Sequence, residues 1–190
     1  MARRPKLDKR ALVYAAADLV NAEGVAALSL SRLAGQLGVR TPSLYNHVAG
    51  LPGLHRELAL LSARSLGDLL ADAAIGKSGP EALSALAQAY RNYVKLNPGV
   101  YTFAVRPAHV YAPADTELQA AQERIVAVAV AVMASFGKVG DDALHAVRAL
   151  RSVVHGFATL EAAGGFGLPL DCDESFQRLV TLLGRGLQET

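Results

Sequence analysis

The sequence predicts an all-α protein, and three observations support this. Hydrophobic residues make up 52% of the chain, charged residues 19% and aromatic residues 6%, which is typical of a packed helical protein rather than of a disordered chain. Apolar residues recur at spacings of three and four along most of the chain, without strand-like alternation. Glycine and proline stand between the periodic segments. We therefore expect about nine helices, with a small three-helix module before a larger helical part.

The first two helices carry signals at both ends. Asp8 is suited to cap the first helix, and Gly24 is suited to end it. Ser29 can cap a short second helix that runs to Leu37, after which Gly38 can supply a left-handed turn. These signals predict two helices separated by a brief connection.

A third helix is predicted from residue 41 to about residue 48. Pro42 suits its first turn, because the missing N–H has no partner there in any helix. Two short helices joined by a glycine turn form a helix-turn-helix, although the same pattern also occurs as a plain corner in a helical bundle. In a helix-turn-helix the second helix enters the major groove of DNA while the first crosses the backbone. Leu44 and Val48 should pack inward.

Polar groups gather around this turn, which gives a predicted DNA-binding surface. The start of the second helix can meet a phosphate, and the start of the third carries charge, hydroxyl groups and an imidazole. The predicted DNA-binding residues are Ser29, Arg32, Arg40, Thr41, Pro42, Ser43, Tyr45, Asn46 and His47.

The charge distribution supports a polyanionic partner for this part only. Residues 1–51 hold seven Lys and Arg against three Asp and Glu, including Arg3, Arg4 and Lys6 at the start. The other 139 residues hold 12 basic and 14 acidic residues. We therefore place a DNA-binding domain at residues 1–51 and a second domain at residues 52–190.

Six further helices are predicted in the second domain. They cover residues 52–74, 81–96, 100–105, 115–136, 141–163 and 171–187. The most apolar run, residues 125–136, has 12 residues, fewer than the roughly 20 that cross a bilayer. The single cysteine, Cys172, fits a reducing compartment, and the N-terminus lacks a cleavage site. We expect a cytoplasmic protein without a membrane partner.

Aromatic, histidine and arginine side chains interrupt the aliphatic second domain. A small-molecule site is an apolar cavity with a few such polar groups, although aromatic residues at helical spacing also simply fill cores. His155 is the strongest candidate, because Gly156 leaves room for a close approach. The predicted ligand-binding residues are Tyr93, Tyr101, Phe103, Arg106, His109, Arg151 and His155.

The sequence contains no pattern of catalysis. No nucleophile–base pairing, phosphate-binding loop or dinucleotide fingerprint is present, and no histidine spacing demands a metal. We therefore predict no enzyme activity, no catalytic residue, no metal and no cofactor.

One stretch resembles a known family. The segment "LSLSRLAGQLGVRTPSLYNHVAGLPGLHREL" is similar to the DNA-binding signature of the TetR family of bacterial transcriptional regulators, over about residues 8–70. Family members commonly have a phosphate-binding lysine where this chain has Leu51. The segment "LRSVVHGFATLEAAGGF" resembles a TetR C-terminal subtype called WHG, with Arg151 in place of the tryptophan that names it.

The resemblance implies a ligand-responsive regulator, most simply a repressor that a mostly apolar small molecule releases from a palindromic operator in double-stranded DNA. It also implies a homodimer. The last two helices carry apolar stripes wider than a monomer needs, and the family pairs these helices. The predicted dimer residues are Leu150, Val154, Phe176, Leu179 and Leu183. Two alternatives without DNA binding remain: a helical protein-interaction module, or an enzyme that processes a small molecule.

Overall fold

A computed structural model describes residues 7–112 and 114–189. This part of the chain contains nine α-helices and two 3₁₀ turns, and no strand. The predicted all-α fold class is therefore confirmed. The helices are α1 (Lys9–Glu23), α2 (Leu30–Leu37), α3 (Thr41–Leu44), α4 (Gly50–Ala74), α5 (Gly79–Leu96), α6 (Pro98–Ala104), α7 (Thr116–Ala134), α8 (Gly140–Ala162) and α9 (Cys172–Glu189), and the 3₁₀ turns are Val25–Ala27 and Ala108–Val110.

The predicted helix ends are confirmed at the N-terminal helices. The Asp8 carboxylate accepts a hydrogen bond from the Ala11 N–H at 2.7 Å, and Gly24 ends α1 with φ of +83°. The Ser29 hydroxyl accepts from the Arg32 N–H at 3.3 Å. Gly38 follows α2 in the left-handed conformation, with φ of +64°, which glycine adopts without the clash that a Cβ causes.

The predicted length of the third helix was wrong. Helix α3 covers only Thr41–Leu44, and residues 45–47 form a turn instead of a second helical turn. The His47 and Val48 N–H groups both donate to the carbonyl of Leu44, so backbone pairing continues briefly past the helix. The chain then enters α4 at Gly50, whose φ of +69° a longer helix could not include.

The described residues form two compact units. The first contains the chain up to Ser62 together with Asn97–Gln119, and the second contains Ala63–Leu96 and the chain from Ala120 onward. Helix α4 therefore contributes residues to both. Arg3, Arg4 and Lys6 of the basic N-terminal arm lie outside the residues that the structure describes.

The first unit packs α6 directly against α1. A Cβ at Gly99 would overlap the carbonyl oxygen of Val20, so only glycine allows the two backbones to come this close. The side-chain oxygen of Asn21 accepts from the N–H groups of Gly99 and Val100 at 3.1 and 3.0 Å. Asn21 thus satisfies, from another helix, N–H groups that have no partner within α6.

A charged cluster joins three helices of the first unit. Arg56 of α4 donates to Asp115 and to Glu117 at the start of α7, at 2.7 Å in each case. Glu57 accepts from Arg56 at 2.9 Å and pairs with Lys9 of α1 at 2.6 Å. Because the Asp115 side chain is only 5% exposed, its two charge-assisted bonds with Arg56 are shielded from solvent, whereas Glu117 is about half exposed.

The second unit has a buried arginine in its core. Arg91 of α5 is 1% exposed and donates to both carboxylate oxygens of Glu161 on α8, at 2.7 and 2.6 Å. Asp173 on α9 accepts from it at 2.7 Å. The guanidinium also lies 4.8 Å from the centre of the Phe176 ring. A buried charge needs such pairing, so Arg91 ties three helices together.

Candidate nucleic-acid interface and effector-binding residues

The helix-turn-helix is built on three buried leucines. Leu33 of α2, Leu44 of α3 and Leu54 of α4 are fully buried. The Val39 N–H donates to the carbonyl of Ala34 at 3.0 Å, which closes the turn between α2 and α3. The predicted inward orientation of Leu44 and Val48 agrees with their exposure of 0% and 6%.

The predicted DNA-binding residues form an accessible surface around this core. Tyr45 is 60% exposed although it is aromatic, and it follows directly after α3. The predicted DNA-binding residues that are exposed are Ser29, Arg32, Arg40, Pro42, Tyr45 and Asn46, and those that are half-buried are Thr41, Ser43 and His47. Since none of them is buried, all nine have surface available to a partner.

Two residues at this surface, Arg32 and Leu51, interact with other parts of the chain. The Arg32 guanidinium donates to both carboxylate oxygens of Glu23, the last residue of α1. Leu51 is half-buried in the first turn of α4, beside Gly50. The position at which the resemblance predicts a phosphate-binding lysine is thus partly covered by this protein's own atoms.

The structure also shows a contact between Arg10 and Tyr14, two residues that are not among the predicted DNA-binding residues. Arg10 lies 5.5 Å from the centre of the Tyr14 ring on the exposed side of α1, and Tyr14 is 46% exposed. Arginine over an aromatic ring is a common arrangement. The four-residue spacing along the first helix was the available signal, because it places two side chains on one face.

The predicted ligand-binding residues are divided between the two units. Tyr101, Phe103, Arg106 and His109 belong to the first unit, and Tyr93, Arg151 and His155 belong to the second. The three aromatic residues are buried, His155 is half-buried, and Arg106, His109 and Arg151 are exposed.

In the first unit, Phe103 and Arg106 lie with two residues outside the predicted set. The His55 ring stands 5.0 Å from the Phe103 ring, and the Tyr111 hydroxyl donates to the Phe103 carbonyl at 2.5 Å. Burial, and then the charge of Arg106, lower the pKa of His55. Burial raises the pKa of the Tyr111 hydroxyl. Both side chains are therefore neutral near pH 7 and can serve as hydrogen-bonding groups.

In the second unit, His155 is half-buried and lies within the electrostatic influence of Arg151. Burial, and then the charge of Arg151, lower the pKa of His155, so its imidazole is neutral near pH 7. A Cβ at Gly156 would meet nothing within 4 Å. No helix of the described chain therefore makes the close approach that Gly156 would allow, and an approach by a ligand stays a prediction.

A mostly apolar cleft of about 240 Å³ lies at the connection between α8 and α9. Its lining comes from Phe157 on α8, the loop that follows, and Cys172 and Ser175 on α9. Within the described residues, no group of three or more His, Cys, Asp or Glu side chains is arranged to hold a metal. None of the described helices is long and apolar enough to cross a membrane.

Comparison with known proteins decides the family. Residues 83–183 match the family model described as a tetracyclin repressor-like C-terminal domain. The chain is also 34% identical over 188 residues to the uncharacterized HTH-type transcriptional regulator YobS of Bacillus subtilis (strain 168), covering 98% of this chain and 96% of that protein. The chain belongs to the TetR family of transcriptional regulators.

Solved structures share the TetR fold. A possible TetR family transcriptional regulator from Streptomyces coelicolor A3(2) superposes with a TM-score of 0.75 at 22% identity, over 96% of this chain and 99% of that one. A variant of TetR from Acinetobacter baumannii AYE, in complex with minocycline, gives a TM-score of 0.71 at 23% identity, over 97% and 98% of the two chains. At these identities the likeness concerns the fold alone.

The predicted dimer residues of this TetR-family chain differ in their accessibility. Leu150, Val154 and Phe176 are at most 3% exposed and are buried within the single chain. Leu179 and Leu183 are half-buried. Larger apolar surfaces on the same two helices belong to Leu144, Leu160 and Leu182, which are 45%, 52% and 65% exposed.

Proposed function

We propose that this TetR-family regulator is a cytoplasmic, homodimeric repressor that a small molecule releases from a palindromic operator. The observation that carries the proposal is the exposed Tyr45, with Asn46 and His47 beside it, immediately after a short helix held by the buried Leu44. An exposed aromatic side chain next to amide and imidazole groups suits contacts with base edges and phosphates. Repression is the simplest regulatory outcome for a protein that occupies an operator.

The proposed release is a shift between two conformers. In a dimer, the two copies of α3 must be spaced to enter successive major grooves of the operator. A ligand that binds more tightly to a conformer with a different spacing favours that conformer. The free energy of operator binding is then weakened by the difference in ligand-binding free energy between the two conformers. Two groups of polar and aromatic side chains are the proposed contacts of such a ligand. They are His55, Phe103, Arg106 and Tyr111 in the first unit and Arg151 and His155 in the second.

The ligand chemistry is proposed as mostly apolar with one or two polar groups. Neutral His55 and His155 carry hydrogen-bonding nitrogens, and the buried Phe103 lies beside His55. The minocycline complex of the A. baumannii variant supports including tetracyclines among the compounds tested. No catalytic role, metal or cofactor is part of the proposal.

DNA binding can be tested without knowing the operator. Duplexes enriched from a randomised pool by the purified protein should contain two inverted half-sites, and their affinity should fall steeply as salt rises. Enrichment of no duplex, with affinity insensitive to salt, would instead favour a protein-interaction module. Turnover of a bound compound would favour an enzyme.

Release can be tested with the enriched duplex and a compound panel that contains minocycline. Compounds that raise the melting temperature should be tested for displacement of the duplex, and His155→Ala should blunt displacement while leaving ligand-free DNA binding intact. A displacement curve identical to that of the wild type would remove His155 from the proposed site.

A further inference from the structure

The ion pair between Glu23 and Arg32 stands at the edge of the proposed DNA-binding surface. Glu23 is the last residue of α1, and Arg32 is in the first turn of α2, one turn after the Ser29 cap. One nitrogen of the Arg32 guanidinium meets both oxygens of the Glu23 carboxylate. The cation in the first turn of α2 is thus already engaged by a carboxylate of the same chain.

Helix electrostatics disfavour both charges where they stand. The C-terminal end of a helix carries partial negative charge, which disfavours Glu23, and the N-terminal end carries partial positive charge, which disfavours Arg32. Each side chain is nearly half exposed, at 45% and 43%, and exposed ion pairs contribute little net stability. The stability of α1 and α2 therefore does not explain why Glu23 and Arg32 stand at these positions.

A DNA phosphate bound at the N-terminus of α2 would explain the position of Arg32. The N–H groups at this end attract an anion, and Arg32 extends from the same turn. A phosphate there would compete with Glu23 for the guanidinium, and the freed carboxylate would repel the phosphate. The pair therefore opposes the contact that Arg32 would otherwise make.

We infer that Glu23 limits the affinity of the protein for DNA by holding Arg32 away from the phosphate backbone. This inference rests on the proposed DNA-binding function. Its effect is independent of base sequence, because phosphate contacts carry no direct sequence information. Glu23 would thereby weaken binding to DNA of any sequence. The residues after α3 would still discriminate between base sequences.

The test uses a fluorescein-labelled 30-base-pair duplex of mixed sequence and the full chain, with binding measured by anisotropy between 50 and 200 mM salt. Glu23→Gln should bind more tightly than the wild type. Each additional phosphate contact steepens the slope of log affinity against log salt concentration by about 0.9. The ratio of the Glu23→Gln affinity to the wild-type affinity should therefore fall roughly threefold to fourfold per contact across this range. Unchanged affinity and slope would overturn the inference.

Two further variants separate this inference from a simple change of charge. Glu174→Gln removes the carboxylate of another exposed arginine pair, with Arg178 on α9, and should leave DNA binding unchanged. In an Arg32→Gln background, Glu23→Gln should no longer tighten binding. An equal gain in Glu174→Gln, or a gain that persists without Arg32, would mean that Glu23 does not act through Arg32 and would overturn the inference.

Folding and the proposed function are checked in the same experiment. Melting curves should show Glu23→Gln as stable as the wild type, and Glu23→Ala should give the same tightening if the amide disturbs the helix end. If DNA binding by the wild type and by every variant does not depend on salt, both the proposed function and the inference are overturned. Salt-dependent binding of the wild type that Glu23→Gln leaves unaltered would overturn the inference alone.

Discussion

Arg56 donates two parallel hydrogen bonds to Asp115, from Nε to Oδ2 and from Nη2 to Oδ1, each 2.7 Å long. The two residues are 59 positions apart in sequence, yet both belong to the first compact unit. This pair and the Asn21 contacts to α6 attach the two ends of the segment Asn97–Gln119 to α4 and α1. Residues from the middle of the chain are therefore a structural part of that unit.

Acid should weaken this attachment. The hydrogen bonds from Arg56 hold the pKa of Asp115 at about 2, below its usual 3.8. A depressed pKa in the folded state adds stability that is complete above the unfolded pKa and is lost as pH falls from about 4 toward 2. Asp115→Asn should lower the free energy of unfolding by about 2 kcal/mol at pH 7, and the difference from wild type should vanish only below about pH 2.

Urea unfolding at several pH values measures this difference. Asp68→Asn is the matched control, because Asp68 pairs with Arg124 at 2.9 Å while both side chains are more than half exposed. It should change stability by less than about 0.5 kcal/mol. A pH-independent cost in Asp115→Asn would mean that the Arg56 contact is not what stabilises the folded state.

Gly99→Ala should destabilise the first unit. The added Cβ would overlap the Val20 carbonyl and stand 2.8 Å from the Asn21 nitrogen, so α6 would have to move away from α1. Overpacking of this kind costs roughly 3 kcal/mol. Gly156→Ala, in the middle of α8 with nothing within 4 Å, should instead gain up to about 1 kcal/mol. Thermal melts of both variants compare them, and equal melting temperatures would contradict the close packing.

Tyr45→Ala and His47→Ala should each weaken operator binding by about 1–3 kcal/mol. Tyr45 is 60% exposed, so its removal should leave the melting temperature nearly unchanged. Gel-shift titration on the enriched duplex measures the effect. Leu168→Ala, which removes an apolar side chain that is 75% exposed in the second unit, is the control. Wild-type affinity in both recognition variants would exclude the turn after α3 from the interface.

Leu51→Lys tests whether the first turn of α4 faces the DNA backbone. If it does, the lysine reaches a phosphate and steepens the salt slope by about 0.9 per subunit, or roughly 1.8 for a dimer. Because Leu51 is half-buried, it can instead act as a hydrophobic staple. A lower melting temperature with an unchanged slope would establish that role. Ile75→Lys, 71% exposed after α4, adds the same charge elsewhere and should not alter the slope.

Leu182→Glu tests the proposed dimer. Leu182 is 65% exposed on α9, so the change should not disturb the protomer, whereas a carboxylate buried without a partner in an interface costs several kcal/mol. Sedimentation should show monomers that no longer bind a duplex with two half-sites. Ile75→Glu, 71% exposed after α4, should remain dimeric. A dimeric Leu182→Glu would place the interface elsewhere. Leu183 is a poorer choice, because it is half-buried in its own protomer.

Local signals explain what could be predicted from the sequence. The caps at Asp8 and Ser29 and the turn at Gly38 depend on neighbours within four residues, and all were predicted correctly. The end of α3 was not, because the course of the chain from Leu44 to Gly50 depends on packing against other helices as well as on local preference. Likewise, the sequence indicated which residues of α2 and α3 could meet DNA, but not that Arg32 is paired with Glu23.

The sequence by itself determined the helical class, the helix-turn-helix and the resemblance to the TetR family, because periodicity, capping and a contiguous motif are written in adjacent residues. Only the tertiary structure decided that Asn97–Gln119 packs with the N-terminal helices, that Arg91 is buried between Glu161 and Asp173, and that Phe176 faces its own core. These relationships join residues about 60 to 85 positions apart. Contacts at such separations follow from how the whole chain fills its interior, which no local pattern encodes.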